Sequence, residues 1–163
     1  MSRRWVLPLV LVLFASVGVM TFVTGRRADE VGEQLRTLDA SAVSSARFAS
    51  DPIRDPRSYD VTIDDAGDRE AMVAALHTLT PSSVVIKTQT ILDETKLELV
   101  LGEESLLLSI MWTEQLGEVA LVSIVRLAGA GELPAGIYES RELMAWLEAM
   151  AGKPGFEAII AGP

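Results

Sequence analysis

His77 is the single histidine in 163 residues, so any Ser-His-Asp triad would depend on it alone, and a multi-histidine metal centre is excluded. It follows Val73 at helical spacing near the edge of an apolar stripe, and no Gly-x-Ser-x-Gly elbow accompanies it, so a packed or surface histidine is expected. No cysteine occurs, which removes disulfides, thiolate metal sites, a cysteine nucleophile and the cysteine of a bacterial lipid anchor. Carboxylates remain. Asp64, Asp65, Asp68 and Glu70 form the densest acidic group and offer oxygen ligands to a cation such as calcium, but their spacing is not that of an EF-hand loop. Helix capping and solvation account for the same residues. Asp93-Glu94 and Glu103-Glu104 are expected in solvated turns, with nothing to place either pair at glycosidase separation. Gly129 and Gly131 lack the following lysine of a phosphate loop and are expected in a plain loop. Trp112 and Trp146 fall on apolar stripes, which makes them expected core residues. Tyr59 and Tyr138 fit a recognition surface and a simple strand equally well. No catalytic, cofactor-binding or metal residue is assigned, and no cofactor is implied.

Charge is unevenly divided along the chain. Arg3, Arg4, Arg26 and Arg27 bracket an apolar run without an acidic residue among them, whereas ten basic and all 23 acidic residues lie from position 28 onward, a formal charge of −13. A field of that sign repels phosphate backbones, so nucleic-acid binding is not expected and cationic partners remain open. Asparagine is absent, so there is no N-glycosylation acceptor.

Residues 5–24, WVLPLVLVLFASVGVMTFVT, carry no charge. At 1.5 Å per residue such a helix matches a hydrocarbon core of about 30 Å. Trp5 stands where an interfacial aromatic anchor would, and the arginine pairs mark the two head-group boundaries. The rival reading is a cleaved signal peptide, with residues 1–4 as its positive region and Val23-Thr24-Gly25 offering small residues for cleavage, although the apolar stretch exceeds a typical signal core. The anchor reading, residues 1–27, is preferred, with an internal N-terminus and the remainder exported.

Residues 28–58 are expected to form a helical stalk and linker. Val31, Leu35, Leu38 and Ala42 recur at helical spacing; weak self-association through this stripe is conceivable, but fewer than two heptads are present. Asp51-Pro52 and Asp55-Pro56 then stop any helix. A folded domain is placed at 59–152, followed by a tail at 153–163. Within the domain, Tyr59, Val61 and Ile63 alternate as a strand. Asp65 can cap a helix whose apolar face is Met72, Val73, Leu76 and Leu79, ended by Thr80-Pro81-Ser82. Runs at 84–92, 95–101, 106–113 and 119–127 predict antiparallel strands joined by short turns. Leu97, Leu99 and Leu101, then Leu106, Leu108, Ile110 and Trp112, share one apolar face that requires a helical layer. After a short extended Ile137-Tyr138, Ser140 can cap a last helix with Leu143, Trp146, Leu147 and Met150 inward. The predicted fold is α+β: an antiparallel sheet of four to five strands with two helices on one face, in the order β-α-β-β-β-β-α.

Val61-Thr62-Ile63-Asp64 before the first helix and Ile137-Tyr138-Glu139-Ser140 before the last, together with the N-terminal anchor, make the chain resemble small membrane-anchored bacterial extracytoplasmic α+β domains of uncharacterised function. That resemblance implies the fold and carries no catalytic residue across. The expected function is a membrane-tethered, non-enzymatic interaction or accessory domain of the cell envelope. Val100, Leu107 and Met111, on the sheet face away from the helices, form the candidate surface for a protein partner. Two alternatives stay open: a cation-dependent binding or hydrolytic domain using the acids between Asp64 and Glu70, and a small envelope sensor or inhibitor domain.

Overall fold

Alternating leucines build the centre of the fold. The computed structural model describes residues 29–50, 59–84, 86, 89–127, 131–132 and 136–160. In chain order there is a helix α1 over 29–36, strands β1 (Ser45–Ala49) and β2 (Asp60–Thr62), helix α2 (Ala66–Leu76), strands β3 (Thr80–Pro81), β4 (Ile91–Leu101), β5 (Glu104–Thr113), β6 (Ala120–Leu127), β7 (Gly131–Glu132) and β8 (Ile137–Ser140), and helix α3 (Arg141–Ala151). The class is α+β, with one antiparallel sheet ordered β2-β1-β4-β5-β6-β8-β3 and β7 paired to β6. Leu97, Leu99, Leu106, Leu108 and Ile110 are buried on one face and pack with Met72, Leu76, Leu143 and Leu147 from α2 and α3 in a single cluster. Each large side chain so buried contributes about 1.5–3 kcal/mol.

Local signals worked where they were short-range. Asp65 Oδ1 accepts the Asp68 N–H at 2.9 Å and caps α2, and Ser140 Oγ accepts the Leu143 N–H at 2.9 Å and caps α3. Gly102 and Gly117 have φ of 65° and 60° in the turns after β4 and β5, conformations that cost a side-chain-bearing residue energy. Trp112 and Trp146 are both core residues, and Trp146 stacks on Phe48 with centroids 5.7 Å apart. The Trp146 indole Nε1 is buried with no hydrogen-bond partner among the described residues.

The region expected to be a stalk belongs largely to the domain. A helix starting at 28 does not persist to 49; it ends at residue 36, and Asp39 Oδ1 accepts the Ser41 N–H at 2.8 Å to start a separate 3-10 turn at Ala40–Ala42. Ser45–Ala49 then lies inside the sheet between β2 and β4, with Ala46 and Phe48 fully buried. Val31, Leu35 and Val43 join the same core, so the folded unit begins well before Tyr59. The helical stripe misled because Val31 and Leu35 do face the core, while Leu38 and Ala42 continued the spacing without belonging to the helix. In 45–49 only Ala46 and Phe48 face inward, an alternation too short to stand out in the sequence.

Two further strand expectations are corrected. Of the strand expected over 84–92, only Ile91 and Leu92 are strand among the described positions; β4 begins at Ile91 and runs through Asp93 and Glu94, with a bulge between Ile91 and Asp93 where a turn was expected. Thr80–Pro81 does not merely end α2 but pairs with β8, and Pro81 is tolerated because β3 is an edge strand. Among the described residues the sheet therefore has eight strands, where four or five were expected. The tail is partly folded as well: Ile159 is fully buried and Phe156 packs edge-on against Phe48. No helix among the described residues is long and apolar enough to cross a membrane. Residues 5–24, the Asp-Pro segment at 51–58 and Gly129 lie outside the described residues.

Candidate interaction surface

Strand alternation sends Ser105, Leu107, Ser109, Met111 and Thr113 of β5 to the face opposite α2 and α3. On the β1–β2 side this second face is charged. Arg47 Nε donates to Glu98 and its Nη1 to Asp60 at 3.2 Å, linking three strands. Such exposed pairs add little stability, but they keep the short edge of the sheet solvated and unattractive to a pairing strand. Val100 and Leu107 follow at the centre, both half-buried.

Met111 is different, and this corrects its place in the expected surface. It is only 6% exposed, and Leu121, its cross-strand partner, is fully buried, although neither belongs to the core beneath the helices. β3 pairs with β8 at one end of the sheet while β4 lies between β1 and β5, so the chain joining β3 to β4 must pass β8, β6 and β5. Both ends of that connection are tied to the sheet: Ser82 Oγ donates to Glu139 Oε2 at 2.6 Å, and the Glu114 N–H donates to the Thr90 carbonyl at 3.1 Å. Gln115 clasps Thr90, accepting its N–H at 3.0 Å and donating to its Oγ1 at 3.1 Å. Nearby, Ser109 Oγ donates to Glu94 Oε1 at 2.7 Å.

Where the connection enters β4, Ile91 and Leu92 are 44% and 59% exposed, the large hydrophobic side chains that stand out to solvent among the described residues. Their exposure was not foreseen, since a strand over 84–92 would have put one of the two in the sheet's apolar face. The bulge at Ile91/Asp93 is what turns them out.

Several of the groups that could do chemistry have structural partners. His77 Nε2 lies 2.7 Å from the Leu38 carbonyl, which can only accept, so this nitrogen carries the proton and ties α2 to the segment after α1. In the acidic group, Asp65 is the helix cap, Asp68 is ion-paired with Lys153, and Arg69 Nη1 donates to the Ile63 and Asp64 carbonyls at 3.0 and 2.8 Å. Among the described residues no group of three or more His, Asp or Glu side chains is arranged to hold a metal ion. Tyr59 shares a buried hydrogen bond of 2.8 Å with Thr95.

Tyr138 is held by several neighbours. It is buried beneath α1, where a Cβ added at Gly32 would sit 2.2 Å from its hydroxyl oxygen. Arg36 places its guanidinium carbon 5.8 Å from the ring centroid, pairs with Glu33 at 2.7 Å and donates to the Leu79 carbonyl at 3.4 Å. Burial pushes the Tyr138 phenol above the ordinary tyrosine range, the Asp29 carboxylate adds to the push, and Arg36 opposes it. The same arginine holds the Glu33 carboxyl below the ordinary carboxylate range.

No protein-family model matches this chain, and neither curated proteins nor solved structures yield a significant match.

Proposed function

We propose that this chain is a membrane-tethered, non-enzymatic interaction or accessory domain of the cell envelope, anchored through residues 5–24 and exported from the cytoplasm. The observation that supports the reading is a contrast between the two kinds of side chain. His77, Asp65 and Asp68, three of the side chains that a catalytic or cation-dependent role would draw on, hold structural contacts. Half-buried Val100 and Leu107 occupy the centre of a sheet face that is charged on its β1–β2 side and closed at Met111. Apolar side chains left partly open in that setting suit a protein partner.

Topology tests the reading most directly. A reporter active only outside the cytoplasm, fused to the C-terminus, is expected to be active, and an uncleaved chain is expected to stay with the membrane after alkaline carbonate washing. External protease should then reach the domain in spheroplasts. A silent reporter on a membrane-retained chain would reverse the orientation, and a chain released by carbonate would remove the anchor.

A further inference from the structure

We infer that Ile91 and Leu92 form a docking site for a basic, amphipathic segment of a partner protein, whose apolar side chains cover the pair while its lysines or arginines meet the carboxylates around it. The site is separate from the sheet-face surface described above, since Val100 lies about 26 Å further along β4. It needs neither that surface nor the anchor. Large apolar side chains are exposed singly on most proteins, so exposure by itself assigns nothing. This pair differs because the backbone beneath it is braced. The Glu114 N–H donates to the Thr90 carbonyl, Gln115 holds Thr90 through both its N–H and its hydroxyl, and Ile91 is paired with Thr113 across the strands. Two adjacent apolar side chains are thus presented in one fixed arrangement, and a partner that covers them loses little chain entropy in doing so.

Charge decides which kind of partner fits. Residues 89–95 and 113–119 carry Asp93, Glu94, Glu114 and Glu118 and neither lysine nor arginine. Glu114 and Glu118 are exposed, Asp93 and Glu94 are half-buried, and half-buried Leu116 stands in the turn that clasps Thr90. Trp112 pairs with Asp93 on one side and Ala120 on the other, which sets Glu118 at the same end of the sheet as Leu92, about 10 Å across two strand spacings. Lys96 lies further up β4, and Arg141 follows β8, separated from β4 by β5 and β6. A second copy of this chain would bring the same carboxylates against one another, and phosphate-bearing lipid or nucleic acid would meet the same repulsion. A cationic segment is attracted by all four, with the apolar pair central and the charges at the rim, the usual anatomy of an interface. The two kinds of side chain then have separable effects: rim carboxylates govern encounter and salt dependence, and the apolar pair governs how long the complex lasts.

The full-length chain, kept in dodecyl maltoside because residues 5–24 are apolar, is titrated into a short fluorescein-labelled peptide with leucines on one helical face and lysines on the other. Anisotropy is read at low and at physiological salt against a detergent blank, and saturable binding is expected. Ile91→Ser with Leu92→Ser should weaken it about tenfold at either salt. Glu114→Gln with Glu118→Gln should weaken it several-fold at low salt and flatten the salt dependence. Glu103→Gln with Glu104→Gln removes the same charge from exposed positions at the other end of the β4–β5 hairpin and should leave binding unchanged. Melting curves check that each variant is folded, and Leu92→Ser alone, at the more exposed position, repeats the test if the double variant unfolds. Equal losses from the two glutamate pairs would mean general attraction to an acidic chain and would overturn the site, as would binding that survives Leu92→Ser or no binding by the unmodified chain. A dimer seen in sedimentation and broken by Leu92→Ser would assign the pair to a second copy and overturn the cationic partner.

Discussion

At Gly32 a hydrogen atom occupies the place where a methyl group would strike the Tyr138 ring, with the hydroxyl oxygen 2.2 Å and the ring carbons 2.5 and 2.7 Å from an added Cβ. Two effects of Gly32→Ala compete. Alanine favours an isolated helix by about 1 kcal/mol, whereas forcing a methyl into a packed aromatic contact costs about 1–3 kcal/mol. The contact is the larger, so Gly32→Ala is expected to lower the urea midpoint, and Tyr138→Phe made with it should restore part of the loss by removing the nearest atom. A rise in stability would mean that α1 does not rest on the domain. Residues of this kind were not legible beforehand, because nothing near Gly32 in sequence announces Tyr138. The capping roles of Asp65 and Ser140 were legible, since each cap needs only a residue three positions on.

Elements were legible where a single alternation settled them and illegible where the chain had to travel. β5 and β6 fall within two residues of their expected bounds, because each is a run rich in apolar and β-branched residues closed off by turns that carry glycine and acidic residues. The apolar run before β4 looked equally strand-like, yet the positions described there serve the crossing from β3 to β4. Burial divides the expected partner surface. Met111→Asp would place an unpaired charge in a site 6% exposed, a loss of about 3 kcal/mol or more, and should markedly lower the melting temperature or abolish the folded state. Leu107→Asp, half-buried at the open centre of the face, should cost no more than about 1 kcal/mol while weakening a partner that uses this surface. Circular-dichroism melts of the two variants distinguish the cases; equal collapse of both would mean that the whole face is structural.

Across the whole molecule the consequential question is where the domain begins. Val31, Leu35, Val43 and Phe48 are all buried in the single core, and together they contribute on the order of 6–12 kcal/mol by burial. That is comparable to the 5–15 kcal/mol net stability of an ordinary domain. A fragment starting at residue 29 is therefore expected to unfold cooperatively in denaturant, and one starting at residue 59 to give no cooperative transition. A cooperative transition from the shorter fragment would restore the stalk reading. Composition and short-range pattern were sufficient for the α+β class, the leucine-lined face, the helix caps and the aromatic core, because each depends on residues within a few positions of one another. The tertiary structure alone decided that 29–50 belongs to the domain, that β1 enters the sheet beside β4, and that Met111 is covered while Leu92 is not. Those outcomes depend on pairings such as Ala46 with Leu99 and Gly32 with Tyr138, where the partners lie far apart along the chain and only the folded sheet brings them together.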